Sequence, residues 1–356
     1  MFVIELLNKY KLRPDRVAVG VSGGADSLFL ALATHDELQS YGIKTVALTV
    51  NHKLRPEADV ETQYVQEIMQ QHGVEHHVLV WQGEKPQTGI EEKAREARYD
   101  LLCRWCKDNG IDCLLIAHHL RDQAETFLMR LQRGSGLEGL CSMREMTEIN
   151  SIKILRPLLH IEPAFCENYL SSKKIKWVHD NSNDNTDFLR VKMREFLPEL
   201  QQKTGIDLAK FDEAIVNLQS ADDYISEQVE KEIKDKVRND FDAVISFKYS
   251  DFIKWHKELK FRILALLLKK KYIPRAQSIL ELISAMQTLP FTGATLGGKE
   301  IFLNYGRVWI VPELSAKRRS TRKEWKEFLL ANSEYQNQKI PHKARLAILQ
   351  KSENIL

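Results

Sequence analysis

Apolar residues along this chain fall first into short continuous runs and later into helical spacing. Residues 17–21, 44–51, 76–81 and 112–117 are β-branched or aliphatic runs of the kind that form strands covered on both faces. Between them Val60, Tyr64, Val65, Ile68 and Met69 recur at helical intervals across residues 57–72, and residues 89–107 repeat the pattern. A further helix is predicted from the His118 region through Leu131. Strand and helix in alternation predict an α/β domain built on a doubly wound parallel sheet. Beyond Pro198, the residues Phe211, Ile215, Leu218, Ile225, Val229, Ile233 and Val237 are spaced by threes, fours and one seven, which predicts a long amphipathic helix. Helical runs follow at 257–271 and 275–287, and residues 300–304 and 307–311 flank Tyr305-Gly306 as a hairpin. The expected division is an α/β domain over 1–205, a smaller, mainly helical domain over 206–314, and a basic tail or remnant of a further domain over 315–356.

The first strand runs directly into Ser22, Gly23, Gly24, Ala25, Asp26 and Ser27, and an apolar helical run over 28–33 leaves it. Adjacent glycines allow close approach of the backbone, and the following helix start offers unpaired N–H groups. The natural guest is an anion such as phosphate. The lysine of the common nucleotide-triphosphate loop is absent and Asp26 stands in the turn, an arrangement compatible with phosphates when a divalent cation lies between. The alternative is an ordinary strand-to-helix turn in which Ser22 and Ser27 are caps. The whole string resembles the loop of the PP-loop pyrophosphatase superfamily, whose members cleave ATP between the α- and β-phosphates and adenylate a substrate.

Ligands of open parallel sheets gather beyond the carboxyl ends of strands. The second strand ends at Asn51-His52, which puts His52 beside the nucleotide or in an exposed loop. The fourth ends at His118-His119, and Asp122 and Glu125, three residues apart, then share a face of the first helical turn. Those carboxylates are either site groups or helix caps. Arg95 and Arg98 are likewise neighbours on one helix face, as solvated surface or as phosphate contacts.

Composition narrows the setting. The chain of 356 residues is 43% hydrophobic and 28% charged, an ordinary globular balance. Its longest aliphatic run, 263–268, is far short of the ~20 residues that span a bilayer. Charged Glu5, Lys9, Lys11 and Arg13 interrupt the apolar N-terminus, so no secretory signal is expected, and five cysteines without a framework fit a reducing, cytoplasmic setting. Cys103 and Cys106 form a C-x-x-C within a helical run, as a redox or metal pair or as buried helix cysteines. The net charge of +3 is uneven: residues 315–356 carry ten Lys/Arg against four Asp/Glu. Such a run is a solvated face or a contact for a polyanion.

His118-His119, Asp122-Gln123, Glu125-Thr126 and Arg133-Gly134-Ser135-Gly136 are similar to the corresponding block of the tRNA(Ile)-lysidine synthetases. So are Asn51-His52 with Leu54-Arg55, Gly89-Ile90-Glu91 with Ala94-Arg95 and Ala97-Arg98-Tyr99, Arg156-Pro157-Leu158-Leu159, and Asp180-Asn181-Ser182-Asn183. Arg121 stands where the family often has a first aspartate, and Asn181 where it usually has an acid. The resemblance implies a catalytic ATP-pyrophosphatase domain followed by a tRNA-binding domain. It implies that ATP, with Mg2+, adenylates the wobble cytidine of a CAU-anticodon tRNA(Ile), after which the ε-amine of L-lysine displaces AMP. On that basis Asp26, Asp122 and Glu125 are the expected catalytic residues, with Asp26 and Asp122 for metal and Glu125 for lysine. Ser22, Gly23, Gly24, Ala25, Asp26, Ser27, Asn51, His52 and His118 are expected at ATP, and Arg95, Arg98, Arg130, Arg133, Arg190 and Arg194 at tRNA. Two alternatives are a PP-loop tRNA thiolase using Cys103 and Cys106, and a non-catalytic tRNA-binding protein. A monomer and a homodimer are both compatible with the sequence.

Overall fold

In the computed structural model, described for residues 2–53, 57–82, 90–178, 189–240, 242–270, 272–313 and 322–353, the chain divides into two compact units, Met1–Asp222 and Asp223–Leu356. The first unit runs α1 (Val3–Lys9), β1 (Arg16–Gly20), α2 (Ala25–Gln39), β2 (Lys44–Asn51), α3 (Ala58–Gln71), β3 (Glu75–Val80), α4 (Ile90–Asp108) and β4 (Cys113–Leu115). It continues with α5 (Leu120–Gln132), α6 (Leu137–Leu140), β5 (Met146–Ile149), β6 (Ile152–Leu155), α7 (Pro163–Ser172), α8 (Leu189–Thr204) and the start of α9 (Leu208–Lys236), within which the division falls.

Its sheet has the order β3-β2-β1-β4-β6-β5. The first five are parallel, and β5 is antiparallel to β6 at the edge. Side chains alternate between two cores, as the pleat requires. Val17, Val19, Ala47, Cys113, Leu115 and Leu155 face one core with residues of α1, α2, α3 and α7. Ala18, Val46, Leu48, Leu114, Ile152 and Ile154 face the other with Leu102, Cys103 and Cys106 of α4. Both faces are therefore covered, which is why these strands read as continuous apolar runs. The β5–β6 hairpin has no counterpart in the sequence reading: each strand is only four residues long. Its turn has Asn150 and Ser151 at φ 51° and 68°, the left-handed pair that suits the twist of a two-residue hairpin.

Connections after β1 lead to β2 and β3 on one side, and the later strands add on the other, so the order reverses between β1 and β4. The loops leaving these two strands come together, with His119 Nε2 3.6 Å from Asp26 Oδ2, at the place where such sheets bind ligands.

The second unit contains β7 (Arg238–Asp240), β8 (Val244–Lys248), α10 (Tyr249–Lys254), α11 (Lys257–Leu268), α12 (Ala276–Gln287), β9 (Ala294–Leu296), β10 (Lys299–Asn304), β11 (Arg307–Pro312), α13 (Arg322–Ala331) and α14 (His342–Glu353). The expected hairpin is present as β10 and β11, at the centre of an antiparallel sheet of order β7-β8-β11-β10-β9. Val308 and Ile310 pack with α10 to α12, whereas Trp309 and Val311 pack with Phe328 and with Ile340, Ala344 and Ile348. Residues 322–353, in the segment read as a basic tail or remnant, thus form helices seated on this sheet, while Lys317, Arg318 and Arg319 lie outside the described residues. Among the described residues no helix is long and apolar enough to cross a membrane.

Candidate active site

The loop after β1 is closed on itself. Ser27 Oγ donates to the Gly24 carbonyl at 3.0 Å and accepts from the Ser22 N–H at 3.1 Å, with Ser22 Oγ 3.2 Å away. Gly23 has φ 91°, and a Cβ there would meet Val65 and Val178 side chains at 3.2 and 3.3 Å. Its carbonyl accepts from Val178 N at 2.9 Å. Gly24 caps α2 in an extended conformation, leaving the first-turn N–H groups without helical partners. The loop is therefore a tight, glycine-dependent turn that leads into a helix start, a geometry suited to an anion.

Asp26, in the first turn of α2, and Asp122, in the first turn of α5, meet at His119. His119 Nε2 lies 3.6 Å from Asp26 Oδ2, and its Nδ1 lies 3.5 Å from Asp122 Oδ2. His119 and Asp122 also form a capping box: His119 N–H donates to Asp122 Oδ2 at 3.0 Å, and Asp122 N–H donates to His119 Nδ1 at 3.3 Å. Asp122 is therefore the third-position member of the α5 capping box and also borders the imidazole that Asp26 reaches. Burial pushes the Asp26 carboxyl upward, with Asp122 adding to the rise and His119 opposing it. Burial would also raise Asp122, but His119, His118, Arg190 and the His119 N–H outweigh it and hold this carboxyl below its ordinary range. Asp26 Oδ1 is buried without a hydrogen-bond partner among the described residues, an oxygen suited to a cation. Among those residues no group of three or more His, Cys, Asp or Glu encloses a metal position. The donor set matches magnesium held by one or two carboxylates together with phosphate oxygens.

Glu125 is wholly buried. Arg194 Nε donates to its Oε1 at 2.8 Å, and Arg190 Nε lies 3.1 Å from Oε2 without the alignment of a hydrogen bond. Arg190 also donates from Nη2 to Thr126 Oγ1 at 3.3 Å. The carboxylate expected at lysine and two of the arginines expected at tRNA are thus one ion cluster between α5 and α8.

At the end of β4, His118 Nδ1 accepts from Arg156 Nε at 3.2 Å. Arg156, only 6% exposed, follows β6 and also donates to the Arg144 carbonyl at 2.8 Å and to Thr147 Oγ1 at 3.1 Å. Burial, Arg156, Arg95 and Arg190 hold the His118 imidazole down at about 3, with Asp122 opposing. Sequence reasoning placed Arg156 only within a family motif and passed over His119 as a bridge between carboxylates. The signal for His119 was its position three residues before Asp122, the spacing of a cap and its box partner.

Other expected residues lie differently. Asn51 is buried, accepts from Lys53 N at 2.9 Å and donates to Asp59 Oδ1 at 2.7 Å, so it shapes the turn into α3. His52 stands edge-on to Trp81 at 5.8 Å. Arg95 and Arg98 are exposed on α4, with Arg95 over the Tyr99 ring at 5.4 Å. Arg130 donates to the Gly139 carbonyl at 2.9 Å and so ties α5 to α6, while Arg133 is exposed at the C-cap of α5. Arg121 is also exposed. Leu54, Arg55, Gly89 and Asp180 to Asn183 lie outside the described residues. Cys103 and Cys106 are buried in the α4 core, and burial pushes their thiols to about 11 and about 12.

A glycine-dependent loop at a helix start and two carboxylates meeting at one imidazole, at the switch point of a doubly wound sheet, fit a PP-loop ATP-utilising domain, and residues 3–200 match the PP-loop domain family. Over 317 residues the chain is 33% identical to the tRNA(Ile)-lysidine synthase of Wolbachia pipientis wMel, covering 87% of this chain and 73% of that protein. Over 344 residues it is 31% identical to the tRNA(Ile)-lysidine synthase of Bradyrhizobium diazoefficiens, covering 89% and 95%. The chain belongs to the tRNA(Ile)-lysidine synthase family. Its fold is also similar to that of the U34-tRNA thiolase NcsA from Methanococcus maripaludis with its 4Fe–4S cluster, at a TM-score of 0.51 and 18% identity over 61% of this chain and 78% of that one.

Proposed function

We propose that this protein joins the ε-amine of L-lysine to C2 of cytidine 34 in a CAU-anticodon tRNA(Ile), at the expense of ATP. In the first step the C2 carbonyl oxygen attacks the α-phosphorus, the bond to the β-phosphate breaks, and pyrophosphate leaves. In the second the neutral ε-amine attacks C2, the C2–O bond breaks, and AMP leaves as the amine loses a proton. The observation that carries this reading is the meeting of Asp26 and Asp122 at His119 beside the closed loop of Ser22 to Ser27. Asp26 Oδ1 and Asp122 would hold magnesium, whose charge when bound neutralises the departing pyrophosphate. The loop N–H groups cradle phosphate, and exposed Arg95, Arg98 and Arg133 contact the tRNA backbone.

Glu125 is the acid for the lysine ammonium, and it serves that role when the loosely aligned Arg190 turns from it toward phosphate. The free amine has an ordinary pKa of about 10.4, so binding must be followed by loss of a proton. The buried thiols of Cys103 and Cys106, held protonated by burial, favour this reaction over sulfur transfer. The test is nucleoside analysis of tRNA incubated with protein, ATP and labelled lysine. Label at cytidine 34 with equimolar AMP is expected. Label on uridine-34 tRNAs, or AMP formation without lysine transfer, overturns the reading.

A further inference from the structure

Arg156 is buried, and among the described residues it forms no ion pair with a carboxylate. Its hydrogen-bond partners are the His118 ring, a carbonyl and a threonine hydroxyl, and the Tyr99 hydroxyl also favours its charge. Among the described residues none of these partners is a carboxylate. Burial lowers the guanidinium from its ordinary value, but arginine stays charged in proteins. A guanidinium only donates, so the nitrogen that receives it, His118 Nδ1, presents a lone pair. The ring proton of a neutral imidazole is then on Nε2. A protonated ring would set N–H against N–H and two positive charges side by side. Among the described residues, Nε2 has no acceptor.

We propose that Arg156 is a positioning residue that fixes His118 as the neutral Nε2–H tautomer, so that His118 serves the reaction as a hydrogen-bond donor to a phosphoryl oxygen of the nucleotide and not as a general base. The position supports the assignment. His118 lies in the loop that joins β4 to α5 at the switch point, one residue before the imidazole that joins Asp26 and Asp122. The groups acting on it are Asp122 on α5, Arg95 on α4, Arg190 on α8 and Arg156 after β6. Three are cations and one is an acid already engaged with His119, so the open donor faces a field that favours an anionic acceptor. The positive charge of Arg156, passed through the ring, makes Nε2–H a stronger donor while the guanidinium stays buried. This inference rests on the ATP-using reading above.

The test is the ring-nitrogen NMR spectrum of full-length protein labelled with 15N-histidine, with His118 assigned by its loss in His118→Gln. An unprotonated Nδ1 and a protonated Nε2 that do not titrate between about pH 5 and 8 are expected. In Arg156→Met the ring should mix tautomers or titrate in that range, and the KM for ATP in AMP formation should rise about 10- to 100-fold, the scale for losing a group that fixes a histidine tautomer. Arg156→Lys, which keeps charge and one donor, should recover part of that loss. A wild-type Nδ1–H, a wild-type ring that titrates across the range, or an unchanged KM in Arg156→Met overturns the proposal; the wild-type spectrum decides it even if the variant fails to fold. Should cytidine 34 receive no lysine while the spectrum and KM behave as stated, the lysidine reading falls and this one stands.

Discussion

Asp26 and Asp122, 96 positions apart in the sequence, flank a single imidazole, with His119 Nε2 3.6 Å from one carboxylate and Nδ1 3.5 Å from the other. The two acids are driven in opposite directions, Asp26 upward by burial and Asp122 downward by His119, His118, Arg190 and the His119 N–H, which together outweigh its burial. A carboxylate that is costly to keep charged, with one buried oxygen unpartnered, is destabilising unless a ligand supplies the missing charge.

Asp26→Asn should therefore keep the fold and melt no lower than wild type, because it removes a desolvated charge beside a second carboxylate. It should also cut AMP formation by about a hundredfold or more, the scale of losing a group that supports charge development in the transition state. ATP with magnesium should raise the wild-type melting temperature and leave that of the variant unmoved. A variant that melts lower yet turns over normally would contradict both halves.

The Glu125 cluster makes a second prediction. Truncating one partner of a buried ion pair leaves the other uncompensated, which costs about 3–5 kcal/mol when all partners are dry. Arg190 and Arg194 keep roughly a third of their side-chain surface in water, with relative exposures of 36% and 34%. Glu125→Gln should accordingly lose about 3 kcal/mol, the low end of that range, by denaturant unfolding. The lysine concentration for half-maximal transfer should rise at least about tenfold, with the ATP requirement changed far less, as expected when one charge-assisted hydrogen bond is removed. Equal changes in both requirements would assign Glu125 to the scaffold alone.

What could be read beforehand follows from the range of the interactions. The strand, loop and helix around Ser22 to Ser27 are local, and β1, β2 and β4 carry unbroken apolar runs because α2, α3 and α4 cover them from two sides. The same spacing logic brought Asp122 and Glu125 to one helical turn. It could not show that Arg190 and Arg194 close over Glu125, since they are 65 and 69 positions distant and packing between α5 and α8 brings them there. Arg156 was equally hidden: only the parallel pairing of β6 with β4 sets it against His118. On α13 and α14 the basic residues drew attention from Phe328, Ala344, Ala347 and Ile348, whose burial shows that charge and packing occupy opposite faces.

Lys323 and Lys326 are exposed on α13, and Lys323 Nζ lies 3.9 Å from Glu327 Oε1. Replacing both by alanine should leave stability within about 0.5 kcal/mol. If α13 binds tRNA, the slope of log K against log salt should fall by about 0.9 for each phosphate that is no longer neutralised. An identical slope would make this face a solvated surface.

His160 links three segments of the first unit and makes the last prediction. Its Nδ1 lies 2.7 Å from Asp212 Oδ1 on α9, and its Nε2 lies 3.5 Å from Glu145 Oε1 before β5. Glu145 also accepts from Tyr10 OH at 3.1 Å and pairs with Lys9 at the end of α1. The Glu145 contact, followed by burial in opposition and then Asp212, leaves His160 raised above its ordinary 6.5. His160 and then Lys9 hold Glu145 at about 2, against an ordinary 4.5 and against burial. A raised histidine contributes stability that is complete below 6.5 and disappears as pH rises through its folded value; a depressed carboxylate contributes above 4.5 and loses it as pH falls through about 2. Both contributions are present between 4.5 and 6.5. The melting temperature of wild type should therefore exceed that of His160→Gln by most within this window, and the gap should narrow as pH rises past the raised histidine value, when the imidazole between two carboxylates becomes neutral. Melting curves of both proteins across that range check it, and a gap that stays constant with pH would mean that His160 holds α9 by neutral hydrogen bonds alone.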